Sequence, residues 1–382
     1  MVNSSLQTEL NRFFQTIKDK YLYLDGVSTA AFCKARKKFS YTAFSALNTC
    51  LGDTFYDSAY VQRWNGFRLL AVDGSTSTLP NNKVLLDYFG KTCQHANYPS
   101  ARLSQLYDVL NKLSVDMQIS PMSTGERTLA AKHLVSVNAL KDLVLYDRGY
   151  PAFWLFALHL QLNIHFCARA SVDFSSVIRE FLASGKKDAL VELKASRASV
   201  KECQERSLSS SPLNVRLVRV ELESGETEVL VTSLLDQKKF PRKAFLNLYH
   251  QRWFIEEDYK LMKSRLQVEN FSGLSVEAIQ QDIHAKILTK NIAAIAILEA
   301  EVLAKEKYQH RKLKYKINFT SVLSQPKNNI IRFVLHLSQP DLLAMFIEKI
   351  AVDVNAFDRR RKCDRNMEKI STKKHNTAYK NV

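Results

Sequence analysis

The sequence is poor in the residues that mark fibrous, disulfide-stapled or membrane-spanning chains. It has only 10 glycines and 8 prolines among 382 residues, which excludes collagen-like and Gly/Pro-rich disordered chains. Its six cysteines form no CxxC pair, so we expect neither a structural zinc site nor a disulfide framework. It has no convincing run of ~20 apolar residues and no apolar segment at the N-terminus, so we expect a cytoplasmic protein without a membrane partner.

Acidic residues are also in deficit. The chain has 38 Asp and Glu against 55 Lys and Arg, a formal net charge of +17. A surplus of this size favours a polyanionic partner, most often nucleic acid, although a basic but otherwise ordinary protein is the alternative. The basic residues concentrate at 34–38, 305–316 and 358–382. These clusters predict phosphate contacts without sequence specificity, and solvated faces or a disordered tail would give the same pattern.

The hydrophobic pattern predicts helices first and then a mixed sheet. Residues 1–60 have apolar residues at helical spacing, with Ser28 or Thr29 as the cap of the second helix. From Phe67 the pattern changes to short apolar runs. We predict strands at 67–72, 101–110, 112–119, 143–146 and 163–168, and helices at 124–140 and 151–160.

The second half of the chain alternates differently. Residues 170–235 are predicted to form a strand-rich insertion with a hairpin turn at 223–226, and 241–268 to form one long helix. The sequence therefore predicts an α/β fold, a mixed sheet flanked by helices, with a β-strand-rich insertion and helical N-terminal and C-terminal regions.

Three carboxylates are candidates for a site. Asp73 and Asp147 each follow a predicted buried strand, where open α/β sheets form their functional crevice, and the long helix presents Glu256. On a continuous helix, Glu256 shares an arc of roughly 80° with one tyrosine and three cations. These residues are Tyr249, Arg252, Lys260 and Lys263. The alternatives are a solvated helix face with a Glu256–Lys260 ion pair, and aspartates that only form turns.

Carboxylates from separate elements suit one particular chemistry. Three of them can hold two divalent cations, and hard oxygen ligands favour Mg²⁺ or Mn²⁺. Two such ions can activate a water or a 3′-hydroxyl and stabilise the leaving oxygen in phosphoryl transfer. Positive side chains beside the carboxylates would hold the substrate phosphates.

The same residues resemble a known family. The segment from Tyr249 to Lys263 fits Y-x2-R-x3-E-x6-K, the signature of bacterial DDE transposases of the insertion sequence 4 family. Ala71-Val-Asp73-Gly-Ser-Thr76 resembles the first-aspartate segment of that family, and Asp147-Arg-Gly-Tyr150 resembles the second. The motifs occur in the family's order, over roughly residues 28 to 300.

The resemblance implies an RNase H-like core that cleaves DNA at transposon ends and transfers the strands into target DNA. It implies catalytic, metal-ligating roles for Asp73, Asp147 and Glu256, with two Mg²⁺ or Mn²⁺ ions. Partners would be double-stranded DNA and a second copy of the chain in a synaptic complex on the nucleoid. The residues expected to contact DNA are Tyr249, Arg252, Lys260 and Lys263.

These expectations divide the chain into segments and leave two other functions open. A repurposed DNA-binding derivative without catalysis and an RNase H-like nuclease that cleaves without joining are the alternatives. The predicted segments are a helical DNA-binding region at 1–60, the first part of the core at 61–169, the β-rich insertion at 170–235, the rest of the core with the Y-R-E-K helix at 236–300, and a basic C-terminal region at 301–382.

Overall fold

The computed structural model describes residues 6–18, 26–58, 60–221, 225–311, 313–324 and 340–357. The helices, numbered in chain order, are α1 (Leu6–Lys18), α2 (Thr29–Arg36), α3 (Thr42–Tyr56), α4 (Lys83–Phe89), α5 (Glu126–His133), α6 (Phe153–Gln161), α7 (Ser176–Ala183), α8 (Arg197–Glu205), α9 (Lys243–His250), α10 (Trp253–Ser264), α11 (Val276–Tyr308), α12 (Phe319–Ser324) and α13 (Pro340–Val352). The strands are β1 (Arg68–Thr78), β2 (Ser100–Asp108), β3 (Leu113–Pro121), β4 (Asp142–Tyr146), β5 (His165–Ala170), β6 (Asp188–Leu193), β7 (Leu213–Glu221), β8 (Thr227–Thr232), β9 (Lys314–Ile317) and β10 (Val354–Phe357).

The described residues form two units. One consists of those within 1–60, 77–100 and 261–382, and the other of those within 61–76 and 101–260. None of the described helices is both long enough and apolar enough to cross a membrane.

An eight-stranded mixed sheet organises the second unit, in the order β3-β2-β1-β4-β5-β8-β7-β6. β1, β4 and β5 are parallel neighbours, while β2–β3, β5–β8, β8–β7 and β7–β6 are antiparallel. The predicted α/β fold with a mixed sheet flanked by helices is therefore confirmed. The strands predicted in the 170–235 insertion do not form a separate sheet, because β8 pairs with β5 and continues the main one.

The parallel centre of the sheet is buried because its strands are apolar along their whole length. Residues 69–72 of β1 and 143–146 of β4 are fully buried, the pattern of strands covered on both faces. Helices α5 to α8 contribute buried side chains to the core against the sheet, and the rings of Phe156 and Phe166 stack with centroids 4.5 Å apart. These contacts fix β1 and β4, which carry the candidate carboxylates Asp73, within β1, and Asp147, just after β4.

Several element boundaries differ from the predictions. β1 does not end at Asp73 but continues to Thr78, because β-branched threonines support extended backbone beyond Gly74. The helix predicted at 124–140 ends at His133 and is followed by a single 3₁₀ turn. The insertion predicted to be strand-rich also contains α7 and α8.

The prediction of one long helix over 241–268 is wrong. The chain forms α9 and α10 instead, separated at Gln251 and Arg252. Around this point the backbone N–H groups of Arg252 and Ile255 bond three residues back, to Tyr249 and Arg252, so a tight turn interrupts the four-residue ladder. The predicted arc of polar residues on one continuous helix therefore does not exist, and Tyr249 and Glu256 lie on different helices.

The first unit is assembled around α11, which contacts α3, α12 and α13. The three helices predicted within 1–60 are present as α1, α2 and α3, and the hydroxyl of Ser28 caps α2 by accepting from Ala31 N at 3.2 Å. Arg36, from the first basic cluster, is not a free surface cation. Its guanidinium donates to the carboxylate of Asp282 at 2.8 Å and to the carbonyl of Ala278 at 2.8 Å.

The other basic clusters are described only in part. Lys312 and the segment 358–382 lie outside the described residues, as does Cys363. Lys305, Lys307 and Arg311 are exposed at the end of α11 and just beyond it. The described cysteines are free thiols, and these are Cys33, Cys50, Cys93, Cys167 and Cys203.

Candidate active site

The parallel strands place the two predicted aspartates side by side. In the register of β1 and β4, the last matched pair is Val72 with Tyr146. Asp73 and Asp147 each follow that pair directly, so the two carboxylates begin at the same level of the sheet. Asp73 Oδ1 accepts a hydrogen bond from its neighbour Gly74 N at 2.8 Å. The sequence prediction that strand ends bring these aspartates together is thus supported by the register.

The third carboxylate comes from α10. Glu256 lies in the first turn of this helix. Two contacts fix the helix to the sheet: the hydroxyl of Tyr259 donates to the carbonyl of Asp73 at 3.0 Å, and the side-chain amide of Gln105 donates to Asp258 at 2.8 Å. Both contacts are formed by buried side chains, so α10 is held firmly beside β1.

The electrostatics show that the three carboxylates act on one another. The pKa of Asp73 is raised to about 6, first by burial and then by the negative charges of Glu256 and Asp147. The backbone N–H of Gly74 and the positive charge of Arg252 oppose this shift. Negative charge is therefore concentrated where β4 ends beside Asp73 of β1, and a cation there would offset it.

Asp147 is held in its ionised form by several groups. Burial alone would raise its pKa, yet the N–H of Arg148 and the charges of Arg252 and Arg169 lower it below its usual value. The Nη2 atom of Arg169 lies 2.9 Å from Oδ1, and the hydroxyl of Tyr249 donates to the same oxygen at 3.3 Å. Asp147 thus already has a cation and a hydrogen-bond donor as partners.

Arg252 occupies the centre of the arrangement. Its Nη2 donates to Glu256 at 2.8 Å, and only 6% of the residue is exposed. In the described part of the chain, its buried Nε and Nη1 atoms have no hydrogen-bond partner. A buried guanidinium with unused donors is costly unless a ligand accepts from them. Arg252 is therefore poised to bind an anionic group.

These groups open onto one cavity of about 320 Å³ in the second unit. It is lined by Asp147, Arg169, Val220, Glu228, Leu246, Tyr249, His250, Arg252, Trp253 and Glu256. Of the seven predicted site residues, four line this cavity. Asp73 comes directly after the matched pair Val72–Tyr146, on the neighbouring strand β1.

The two predicted lysines do not line the cavity. Lys260 is exposed and pairs with Glu257 at 2.6 Å, whereas the alternative of a solvated helix face placed it beside Glu256. Glu256 pairs with Arg252 instead, one turn back rather than one turn forward. Lys263 lies in the last turn of α10, beyond Lys260. Their contacts with DNA remain predictions.

Arg169 and Glu228 belong to the site but were not predicted from the sequence. β4 and β5 are parallel, and their last matched pair is Tyr146 with Ala168. Arg169 and Asp147 therefore each come directly after this pair, at the same level of the sheet. Arg169 also pairs with Glu228 of β8. The signal was present in the sequence, because Arg169 directly follows the strand predicted at 163–168.

The donor set fits a hard divalent cation in its chemistry. Asp73, Asp147 and Glu256 offer carboxylate oxygens, the ligands that Mg²⁺ and Mn²⁺ prefer. Within the described ranges, no three His, Cys, Asp or Glu side chains form a ready-made metal cluster. Two of the three carboxylates form ion pairs instead: Asp147 pairs with Arg169, and Glu256 pairs with Arg252. The site is therefore a network of carboxylates and arginines.

A second constellation resembles a nucleophile–base–acid row. Ser104 Oγ lies 3.0 Å from His133 Nε2, and His133 Nδ1 lies 2.7 Å from Asp116 Oδ2. The order matches that of hydrolytic triads. Ser104 and His133 are both fully buried, however, so no substrate could reach the hydroxyl. These residues tie α5 to the β2–β3 hairpin.

Sequence comparison identifies the family of this chain. Residues 64–292 match the family model described as the transposase DDE domain. The chain is 24% identical over 278 residues to the transposase InsG for insertion sequence element IS4 of Escherichia coli strain K12. That match covers 72% of this chain and 62% of the relative, so the chain spans about three fifths of the relative's length. A cryo-EM structure of a piggyBac transposase synaptic complex with hairpin DNA aligns with a TM-score of 0.41 and 10% identity, over 81% of this chain and 62% of that one. The family match extends over more than half of the sequence and includes Asp73, Asp147 and Glu256, and the chain therefore belongs to the transposase DDE domain family.

Proposed function

We propose that this chain is the transposase of an insertion sequence, which cleaves DNA at the transposon ends and joins those ends to target DNA. The observation that carries the proposal is the placement of Asp73 and Asp147 after the matched pair Val72–Tyr146, with Glu256 close enough to raise the pKa of Asp73. Membership of the DDE domain family supports the same reaction class.

The carboxylates are proposed to hold the metal. Members of the DDE family use divalent metal ions, and Asp73, Asp147 and Glu256 would hold two Mg²⁺ or Mn²⁺ ions here. When bound, such ions activate the attacking oxygen and stabilise the leaving oxygen of a phosphodiester. At neutral pH the carboxyl of Asp73 is mostly ionised, because its pKa of about 6 is below 7. Asp73 can therefore act as an anionic ligand.

The cavity supplies the groups that would position the DNA. Arg252 has two buried donor atoms without partners among the described residues, and Arg169 and Tyr249 line the same space. A guanidinium matches the geometry of a phosphate and can donate to two of its oxygens. We propose that these three side chains orient the scissile phosphate, while Lys260 and Lys263 contact the DNA farther along α10.

The rest of the chain would bind the duplex outside the site. The net charge of +17 and the exposed cations around the end of α11 suit the phosphate backbone of double-stranded DNA. Joining two transposon ends requires both to be held at once, so we propose a synaptic complex that contains two copies of the chain.

One experiment separates this function from its alternatives. The DNA flanking the gene should supply candidate inverted repeats, which are cloned into a supercoiled plasmid and incubated with the full chain and Mg²⁺ or Mn²⁺. We expect cleavage at the ends and strand-transfer products, both abolished in Asp73→Asn. Cleavage without transfer products would indicate a nuclease, and end binding without cleavage would indicate a repurposed DNA-binding protein.

A further inference from the structure

We propose that Arg169 is a built-in counter-ion of the active site, which neutralises Asp147 in the metal-free chain and moves to a DNA phosphate when a divalent ion takes that carboxylate. Metal and DNA would then strengthen each other's binding. This inference rests on the proposed function and concerns how the same site is regulated.

The position of Arg169 is set by the sheet. It follows Ala168 on β5, and Asp147 follows Tyr146 on β4. Because Ala168 and Tyr146 are paired in the register, Arg169 and Asp147 lie side by side. The guanidinium reaches Asp147 with Nη2 at 2.9 Å. Both side chains are about one-third exposed, so the pair forms at the rim of the cavity rather than in the core. A pair at the rim can exchange partners without opening the fold.

Glu228 keeps Arg169 at the site whether or not Asp147 is available. β5 and β8 are antiparallel, with Arg169 opposite Leu230, so Glu228 lies two residues along the facing strand. Its carboxylate pairs with Nη1 of Arg169, and only 9% of the Glu228 side chain is exposed. An unpaired carboxylate this buried would be costly, so Glu228 retains the arginine after the pair with Asp147 separates.

The charges of the groups explain why Asp147 would exchange Arg169 for a divalent ion. Asp147 Oδ1 cannot serve a divalent ion and a guanidinium at the same place, so an arriving ion competes with Arg169. Once released, Arg169 still faces the cavity and presents positive charge there, the feature that attracts a phosphate. Arg252 and Glu256 form a second pair of the same kind, at 2.8 Å.

The consequence is a reciprocal coupling. A phosphate that binds the arginines withdraws them from the carboxylates and so raises the affinity for metal, and metal must raise the affinity for DNA by the same factor. The chain would hold metal weakly until DNA arrives. Carboxylates without counter-ions would gain less metal affinity from DNA, because only the phosphate oxygens would contribute.

The test measures Mn²⁺ binding to the full chain by the decrease of the free-Mn²⁺ electron paramagnetic resonance signal, with and without a short DNA duplex, after subtraction of the Mn²⁺ that the duplex binds alone. For the native chain, we expect the duplex to tighten Mn²⁺ binding by roughly fivefold or more, the lower end of ordinary coupling between sites. In Arg169→Gln, Mn²⁺ should bind more tightly without DNA, and the gain on adding DNA should shrink. Unchanged or weaker Mn²⁺ binding by Arg169→Gln would overturn the inference.

Three control variants identify the cause. Arg148→Gln removes a cation next to Asp147 in the chain that forms no ion pair within the described residues, so it should leave Mn²⁺ binding nearly unchanged. Arg169→Lys keeps the charge and should behave like the native chain. The double variant Arg169→Gln with Glu228→Gln keeps the net charge constant and should still bind Mn²⁺ more tightly than the native chain. Equal tightening in Arg148→Gln would show a general charge effect and contradict the specific pair.

A separate variant distinguishes failure of the inference from failure of the proposed function. Asp73→Asn should abolish most Mn²⁺ binding if the carboxylates form the metal site. If Asp73→Asn binds Mn²⁺ as the native chain does, the metal site itself is wrong. If Asp73→Asn fails to bind Mn²⁺ but Arg169→Gln binds it no more tightly, the metal site stands and only the counter-ion role is wrong.

Discussion

Asp73 and Asp147 occupy matched positions on two parallel strands, each directly after the Val72–Tyr146 pair. This relationship depends on apolar strands that are buried along their length and packed on both faces, because a slip of one residue would move every core side chain to the opposite face of the sheet and break that packing. It brings two acidic groups together before any ligand is present. The raised pKa of Asp73 reports the repulsion that results, in addition to burial.

The first prediction concerns Arg252. Arg252→Ala should reduce cleavage and strand transfer by roughly 10²- to 10³-fold, the usual effect when a preorganised donor is removed from a reacting group. Mn²⁺ binding should be retained or tightened, because the arginine pairs with a proposed ligand but is not one. Single-turnover cleavage and Mn²⁺ titration on the same preparation check both outcomes.

Lys243→Gln is the matched control for Arg252, since Lys243 is an exposed cation of the neighbouring helix α9 and does not line the cavity. Its effect should stay within about fivefold, as expected for an exposed charge worth no more than ~1 kcal/mol. Failure of Arg252→Ala to bind Mn²⁺, with normal DNA positioning, would mean that the role of Arg252 has been misassigned.

The second prediction concerns stability against acid. His159 is fully buried, with Nε2 accepting from the Tyr146 hydroxyl at 2.8 Å, and burial lowers its pKa to about 4. In the unfolded chain the ring protonates near pH 6.5, whereas in the folded chain it stays neutral down to about pH 4. The unfolded state therefore binds more protons in this window, and stability should fall by up to about 3 kcal/mol as the pH decreases from 6.5 to 4.

Urea unfolding midpoints at several pH values between 4 and 7.5 measure this effect. His159→Gln can still accept from Tyr146 and donate to the backbone but cannot titrate, so its midpoint should depend less on pH. His95→Gln, at an exposed position, should keep the native slope. Identical slopes for the native chain and His159→Gln would contradict the assignment.

The third prediction concerns the basic cluster around the end of α11. Lys305, Lys307 and Arg311 are exposed, and the Arg311 guanidinium lies over the ring of Tyr308 at 5.0 Å. Replacing all three with Gln should weaken binding to every duplex similarly. It should also reduce the slope of log affinity against log salt, by about 0.9 for each phosphate that the variant no longer neutralises. Fluorescence anisotropy with a transposon end and an unrelated duplex measures both. Weaker binding confined to the transposon end would mean that this cluster reads bases.

Sequence patterns were sufficient for the central strands of the sheet and for the neighbouring positions of Asp73 and Asp147. Short apolar runs ending at Asp73 and Asp147 predict buried parallel strands, and parallel strands align their ends. The same logic would have identified Arg169, which follows the next apolar strand. These features depend on local hydrophobicity, so a single sequence contains the information.

Other features depend on tertiary contacts that no local pattern specifies. The break between α9 and α10 occurs at Gln251 and Arg252, without the glycine or proline that usually marks such a turn. Glu256 has cations at i−4 and i+4, and spacing alone does not choose between Arg252 and Lys260. The structure chooses Arg252, which is buried beside the carboxylates, and leaves Lys260 with Glu257.

The most direct test of the account is cleavage of a labelled transposon-end duplex by Glu256→Gln and Glu257→Gln, measured side by side in Mg²⁺ and in Mn²⁺. Both substitutions remove one negative charge from the first half of α10, but only Glu256 lines the cavity and pairs with Arg252. Glu256→Gln should cleave orders of magnitude more slowly while still binding the duplex, as should Asp73→Asn, because a hard cation binds through charged oxygen. Glu257→Gln should cleave at nearly the native rate. Near-native cleavage by Glu256→Gln or by Asp73→Asn would contradict the assignment of these carboxylates as metal ligands.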